Sequence, residues 1–368
     1  MAGKRGNGEG SIHQLPSGKW RAQATINGQR AGVVAKTHKE AQEQLRKLLS
    51  DADKGLMPPA ERLTLAVHIE RWLADVVAHS VRTSTRKNYG DLTRLYVLPT
   101  LGRVKLAQLQ PGDVQRLYGA LLARGLAPKT VRNVHAALRR ALQQAVDWNL
   151  VPRNVATLVQ PPRLSRKEVV VLDADQVRIL LAVLGDDRWR GLLTVALATG
   201  MRQGELLGLK WADVDLTRHT LRVQRQLLRD GTLNEPKTAK GRRTIDLPQS
   251  CVAVLREHKR TQAEERLIAG PEWSHNDLVF CTYQGRPLNH RNVVRAFKAI
   301  LVRAGLPDIS FHALRHTAAT LLLVQGTHPK VVQERLGHST IAMTLDIYSH
   351  LIPSMGRAAA DQLDALFA

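Results

Sequence analysis

Cysteine is nearly absent. Cys251 and Cys281 are the only two in 368 residues, too few for a disulfide framework or a four-ligand zinc site, so a reduced, cytosolic protein is expected. Long apolar runs are missing as well. No stretch approaches the roughly 18 residues that cross a bilayer, and the opening MAGKRGNGEGS has no apolar core behind its charges, so neither a membrane span nor a secretory signal is expected. Acidic residues are the third shortage: 32 Asp+Glu face 54 Lys+Arg, a formal charge of +22. That balance argues against an ordinary metabolic enzyme. It asks for a polyanionic partner, nucleic acid before an anionic membrane, and the basic residues recur in every segment rather than coating one solvated face. Clustered carboxylates are also lacking. Asp213 and Asp215 are the nearest candidates for a metal-dependent nuclease or transposase, and no partner motif joins them. No internal repeat is visible.

What is present divides into a multidomain chain. Residues 1–56 read as a small three-stranded sheet plus a helix. Alternation runs through K-W-R-A-Q-A-T-I, the turns Pro16-Ser17-Gly18 and Asn27-Gly28 separate the strands, and Thr37-H-K-Glu40 reads as a capping box. Trp20, Ala22, Ala24 and Ile26 share one face; Lys19, Arg21, Gln23 and Thr25 share the other, a polar-basic surface suited to a major groove. Ala41, Leu45, Leu48 and Leu49 form the inner side of the helix. After a Gly55–Pro59 linker, residues 62–158 read as all-α. Leu65, Ile69, Trp72, Leu73 and Val76 form a helical stripe, further helices open at Thr83, Pro111 and Pro128, and the chain breaks at Leu101-Gly102. On the last helix Val131, Val134, Leu138 and Leu142 face in, which leaves Lys129, Arg132, Arg139 and Arg140 to clamp a duplex by its phosphates. A Pro-rich basic linker, 160–167, leads to a mainly α, α+β domain over 168–368. Helices are expected from Asp173 to Leu184, over 189–198, 203–209, 249–268, 290–303 and 311–324, with one small hairpin-rich sheet between 220 and 246 and an amphipathic tail helix carrying Leu363, Leu366 and Phe367.

Five groups stand in a fixed order: Ala198-T-G-Met201-Arg202-Q-G-Glu205, Pro236-Lys237-T, His312-A-L-Arg315-H, Leu336-Gly337-His338 and Tyr348. His338 lies 23 residues after Arg315, and Tyr348 ten after His338. Singly each is weak; an H-x-x-R pair turns up on many surface helices. Together they resemble the tyrosine recombinase (phage integrase) family, over all three domains and most specifically over 172–352. The helical segment T-V-R-N-V-H-A-A-L and the Arg153-Asn154 exit fit the same family, although position 155 is Val where many members have proline.

The resemblance implies a metal- and ATP-independent DNA strand transferase with no cofactor. Tyr348 would be the nucleophile of a 3′-phosphotyrosyl intermediate, Arg202 and Arg315 would fork onto the non-bridging oxygens, and Lys237 would protonate the 5′-oxygen. His312 would act as general acid–base and His338 as a hydrogen-bond donor. Lys240 is the alternative to Lys237 in the same loop, and Glu205 reads as structural, orienting Arg202. The helical domain becomes a core-binding domain and the first sheet an arm-type DNA-binding domain. The implied partners are double-stranded DNA at core and arm sites and a homotetramer in the synaptic complex, in the nucleoid of a bacterial host. A host DNA-bending protein and a directionality factor stay open. An integrase of a phage or mobile element is favoured by the first domain; a chromosome or plasmid dimer-resolving recombinase and a type IB topoisomerase-like cutter are the alternatives.

Overall fold

The alternation at Trp20–Ile26 becomes the central strand of a small antiparallel sheet. The computed structural model describes residues 10–26, 29–53, 63–164, 170–235, 241–338, 340, 341, 345, 364 and 367. The linker at 55–59, Lys237, Lys240, Tyr348, Leu363 and Leu366 lie outside the described residues. Two units result, residues 1–166 and 167–368. The first opens with β1 (Ser11–Gln14), β2 (Trp20–Ile26) and β3 (Gln29–Ala35), in the order β1-β2-β3. Gly18 turns the first corner with φ +78, a conformation open to glycine. Ala22 and Ala24 are buried, and with Ala35 they meet Ala41 and Leu45 of helix α1 (His38–Asp53). Lys19, Arg21 and Thr25 are exposed on the opposite face, with Gln23 half-buried among them. The cap differs in one detail from the expected box. Thr37 Oγ1 accepts from the Glu40 N–H at 3.2 Å, but Glu40 reaches back to the Lys36 N–H at 3.1 Å, one residue early.

A second core in the same unit is all helical. Helix α2 (Leu65–Arg71) continues through a π-helical stretch (Trp72–Val77) into α3 (Ala78–Ser80); α4 (Thr83–Leu92) continues likewise through Thr93–Val97 into α5 (Leu98–Leu101). Neither π stretch is visible in a 3.6-residue periodicity. At the second, the Thr93 hydroxyl donates to the carbonyls of Tyr89 at 2.8 Å and Gly90 at 3.2 Å, and Pro99, which has no N–H to offer, follows within the same helix. Helices α6 (Pro111–Ala123) and α7 (Pro128–Asp147) each start on a proline, where the missing N–H costs nothing. The predicted stripes meet: Leu65, Ile69, Trp72, Val131, Val134, Leu138 and Leu142 are buried in one cluster. His68 is buried there with Nε2 2.7 Å from the Ala141 carbonyl, and burial pushes its pKa down. At the exit, Asn154 caps a 3-10 turn (Val155–Leu158) and donates to the Arg139 carbonyl at 2.9 Å, tying the departing chain to α7.

The second unit contains α8 (Ala174–Leu184), α9 (Arg190–Thr199), α10 (Gln203–Leu207), α11 (Gln249–Ala269), α12 (His290–Arg303), α13 (Ala313–Val324) and α14 (Pro329–Leu336). Asp173 caps α8 as expected, accepting from the Gln176 N–H at 2.8 Å. The expected helix 203–209 is shorter. It stops at Leu207, and the Gly208 cap packs against the backbone of Gln226 and Leu227, where a Cβ would lie 2.9 Å from the Leu227 nitrogen. The one expected sheet is two: β4 (Val214–Asp215), β5 (Thr220–Val223) and β8 (Arg243–Asp246) form one in the order β4-β5-β8, and β6 (Gln226–Leu227) pairs with β7 (Leu233–Asn234). Helix α14 is additional to the expected set, although Pro329 at its start and Gly337 past its end are ordinary boundary signals. Among the described residues, no helix is long and apolar enough to cross a membrane.

Leu138 is fully buried on α7 and Leu158 is exposed. Leu138→Ala is therefore expected to cost about 2–5 kcal/mol and Leu158→Ala less than about 0.5 kcal/mol, measured by urea unfolding followed by circular dichroism.

Candidate active site

Two helix C-termini meet at the site. Helix α9 ends on Gly200 in the left-handed conformation, φ +63, and α14 ends on Gly337, φ +68. A Cβ on Gly200 would sit 2.4 Å from Leu336 Cδ2, so side chain and backbone both require glycine there. The last carbonyls of a helix have no partner within it and carry its negative dipole end. Here arginines supply the partners. Arg243 Nε donates to the Arg335 carbonyl at 2.6 Å, Arg315 Nη2 to Leu336 at 2.7 Å, and Arg202 Nη2 to Gly337 at 3.4 Å. On α9, Arg335 Nη2 donates to Ala198 at 2.7 Å and Arg315 Nη1 to Gly200 at 2.8 Å. His338 follows directly, its N–H donating to Gln333 O at 3.1 Å while Gln333 Nε2 donates to the His338 carbonyl at 3.2 Å.

Glu205 anchors the arginines from the other side. It is 3% exposed and accepts from Arg202 Nη1 at 2.7 Å, from the Arg202 N–H at 3.0 Å and from Arg243 Nη2 at 3.0 Å. Burial pushes its carboxyl up, but the Arg243 and Arg202 charges outweigh that and hold it below the usual carboxylate range. The Arg202 side chain is 40% exposed, so its guanidinium is anchored at one end and open to a ligand at the other. His312 occupies the N-cap position of α13, with Arg315 and His316 one turn on; the two imidazoles stack edge to face with centroids 4.9 Å apart. All three site histidines lie below the ordinary value. Loss of water is the first cause for each, followed for His312 by Arg315 and Arg202, for His316 by His312 and Arg315, and for His338 by Arg315 and Arg202. His316 and His338 fall to about 4.

The structure thus brings together Arg202, His312, Arg315 and His338, with Glu205 beneath Arg202. Arg243 and Arg335 were not among the expected site residues. In the sequence Arg243 is one member of an alternating strand whose carboxylate partner is 38 residues away, and only the position of Arg335 in a last helical turn carries a signal. Asp213, weighed above as a metal-site carboxylate, is buried in an ion pair with Arg225. In the first unit, Lys129, Arg132 and Arg139 line an open cleft of about 530 Å³ with Asn133, His135 and Thr157. Arg140 is exposed but donates instead to the Tyr89 hydroxyl at 3.4 Å. Among the described residues, no group of three or more His, Cys, Asp or Glu is placed to hold a metal ion.

Gly200→Ala is expected to destabilise the protein by at least about 2 kcal/mol and to exceed Gly305→Ala, which has a similar φ of +65 but open space. Comparative urea midpoints check this. The histidines set a second expectation. Between pH 6.5 and about 4 the unfolded chain takes up protons that folded His316 and His338 refuse, so their contribution is complete above pH 6.5 and lost as pH falls through that window. Unfolding free energy should drop there by more than about 1 kcal/mol, and His316→Asn should flatten the drop.

Comparison with known proteins agrees with this geometry. Residues 170–354 match the phage integrase family, and residues 64–122 match the phage integrase N-terminal SAM-like domain. A "Tyrosine recombinase XerC-like" protein of Caldanaerobacter subterraneus subsp. tengcongensis is 34% identical over 361 residues, 92% of each chain. An integrase of Streptomyces ambofaciens is 32% identical over 388 residues, covering 100% of this chain and 98% of its own. The Tn1549 transposon integrase, solved with a circular intermediate DNA, is similar in fold with a TM-score of 0.71 at 23% identity, over 82% of this chain and 99% of its own. The chain belongs to the phage integrase family of tyrosine recombinases and is a site-specific DNA recombinase.

Proposed function

We propose that the protein is the integrase of a phage or integrative element, cutting and rejoining double-stranded DNA through a 3′-phosphotyrosyl link to Tyr348. The observation that carries this reading is the convergence of Arg202, Arg315, His312 and His338 on the carbonyl ends of α9 and α14. Arg202 and Arg315 hold the non-bridging oxygens of the scissile phosphate, as planar guanidinium forks suit. His338 enters neutral, since its pKa lies near 4, and donates one hydrogen bond; His312 shuttles the proton of the attacking phenol. Lys237 protonates the departing 5′-oxygen. The bond energy is kept in the phosphotyrosine, so ATP is not needed, and the arginines supply the charge that a metal would otherwise bring.

Two further assignments follow from charge and shape. The cleft formed by Lys129, Arg132 and Arg139, with Arg140 beside it, takes phosphates of the core site, and the Lys19, Arg21, Gln23 and Thr25 face of the first sheet reads a second, arm-type site. Full exchange between two duplexes cuts four strands, and each chain carries one Tyr348, so the working assembly is a homotetramer. The Tn1549 relative is named for a transposon, which accords with a mobile-element role; the XerC-like relative keeps dimer resolution as the second reading. A recombinase of this kind acts in the host cytoplasm, at the nucleoid.

A suicide DNA carrying the core site, incubated in EDTA without ATP, is expected to give a covalent protein–DNA band that is lost in Tyr348→Phe and kept in Tyr283→Phe. A band that requires magnesium, or that survives Tyr348→Phe, would overturn the mechanism. Exchange between two unlike sites on separate molecules supports the integrase; exchange confined to identical directly repeated sites supports the resolvase.

A further inference from the structure

Glu205 has two carboxylate oxygens, and both are engaged. Oε1 takes Arg202 Nη1, and Oε2 takes Arg243 Nη2 together with the Arg202 backbone N–H. This division matters because an arginine beside a carboxylate ordinarily closes on it with two parallel N–H bonds. Arg202 does not. It spends Nη1 on Glu205 and directs Nη2 to the Gly337 carbonyl at 3.4 Å, in front of His338. Arg243 is 7% exposed and held by three more features: strand β8, the Arg335 carbonyl and the Gly241 carbonyl at 3.1 Å. It occupies the oxygen that a fork–fork pair would need.

We infer that Arg243 is a positioning residue for the cleavage step: by occupying the second oxygen of Glu205 it keeps Arg202 from closing onto that carboxylate and leaves its guanidinium aimed at the scissile phosphate. This rests on the role given to Arg202 above. Arg243 acts through Glu205 and through the carbonyl end of α14 rather than on the scissile phosphate itself. Without it, Glu205 and Arg202 collapse into a bidentate pair and one clamp on the non-bridging oxygens is withdrawn.

The test uses the full-length protein and two core-site substrates, one with an ordinary scissile phosphate and one with a methylphosphonate there. The second replaces a non-bridging oxygen by methyl, removes the negative charge, and so lessens the demand for a cationic clamp. On the ordinary phosphate, Arg243→Met is expected to slow covalent-adduct formation by about 100-fold, and Arg243→Lys, which keeps one N–H for Glu205 or for the Arg335 carbonyl, by about 10-fold. Core-site binding should stay within about twofold of the parent. On the methylphosphonate both defects should shrink to a fewfold, as should that of Arg202→Ala run beside them. Arg243→Met combined with Glu205→Gln should cleave faster than Arg243→Met alone, because the neutral amide no longer draws Arg202 in. If Arg202→Ala regains activity on the methylphosphonate while the Arg243 variants stay equally slow on both substrates, Arg243 is merely structural and the inference fails. If Arg202→Ala itself shows no difference between substrates, the role assigned to Arg202 fails and this inference falls with it. Should Arg243→Met not fold, Arg243→Lys carries the same comparison.

Discussion

Too much positive charge in one place is the constraint around which the second unit is built. Arg202, Arg243, Arg315 and Arg335 crowd a region that, among the described residues, holds one buried carboxylate, Glu205. More carboxylates would neutralise the arginines outright and leave nothing for a phosphate. The chain instead uses backbone carbonyls at the ends of α9 and α14. These offer partial negative charge and firm geometry without cancelling a full unit. The guanidinium groups are thereby oriented while the site keeps a surplus of positive potential. Loss of water is the first cause of the depressed histidines, and the surplus adds to it, since Arg315 and Arg202 oppose protonation at both His312 and His338.

The same arrangement explains the local backbone. Carbonyls can be presented to arginines only where helices stop, and both helices stop on glycines with positive φ, at 200 and 337. The approach of the two ends is close enough that Gly200 abuts Leu336. The packing of α9 against α13 and α14 and the placement of the arginines are therefore one problem rather than two. Thr317 extends this seam by accepting the Leu172 N–H at 3.1 Å, which ties the start of the unit to α13.

Much of this was legible in the sequence, and the reason is locality. Asp173, Pro111, Pro128 and the Trp20–Ile26 alternation announce their elements within a few residues, and the helix at 290–303 carries Val293, Phe297, Ile300 and Leu301 at helical spacing. Arg202, His312, Arg315 and His338 were recognisable because their order along the chain is distinctive. Arg243 was not, because its meaning lies in Glu205 and in a helix end 92 residues onward. The π-helical stretches at 72–77 and 93–97 escaped because a single inserted residue barely disturbs an apolar stripe. The split of the expected sheet into β4-β5-β8 and β6-β7 escaped because strand partners are set by contacts that spacing does not record. Lys237 and Tyr348 rest on the sequence motifs alone.

The long reach of the helix-end bonds bears on how the protein is made. The carbonyls of Ala198 and Gly200 are synthesised early, yet their partners, Arg335 and Arg315, lie 137 and 115 residues later. While a nascent chain is still short of Arg315, the end of α9 lacks both arginines that take its carbonyls in the finished fold, although Glu205 already has Arg243, 38 residues on. A ribosome that stalls before α14 releases a polypeptide with half a clamp. The clamp thus closes late: the carbonyl end of α9 waits for two later helices, and its last arginine arrives only with α14.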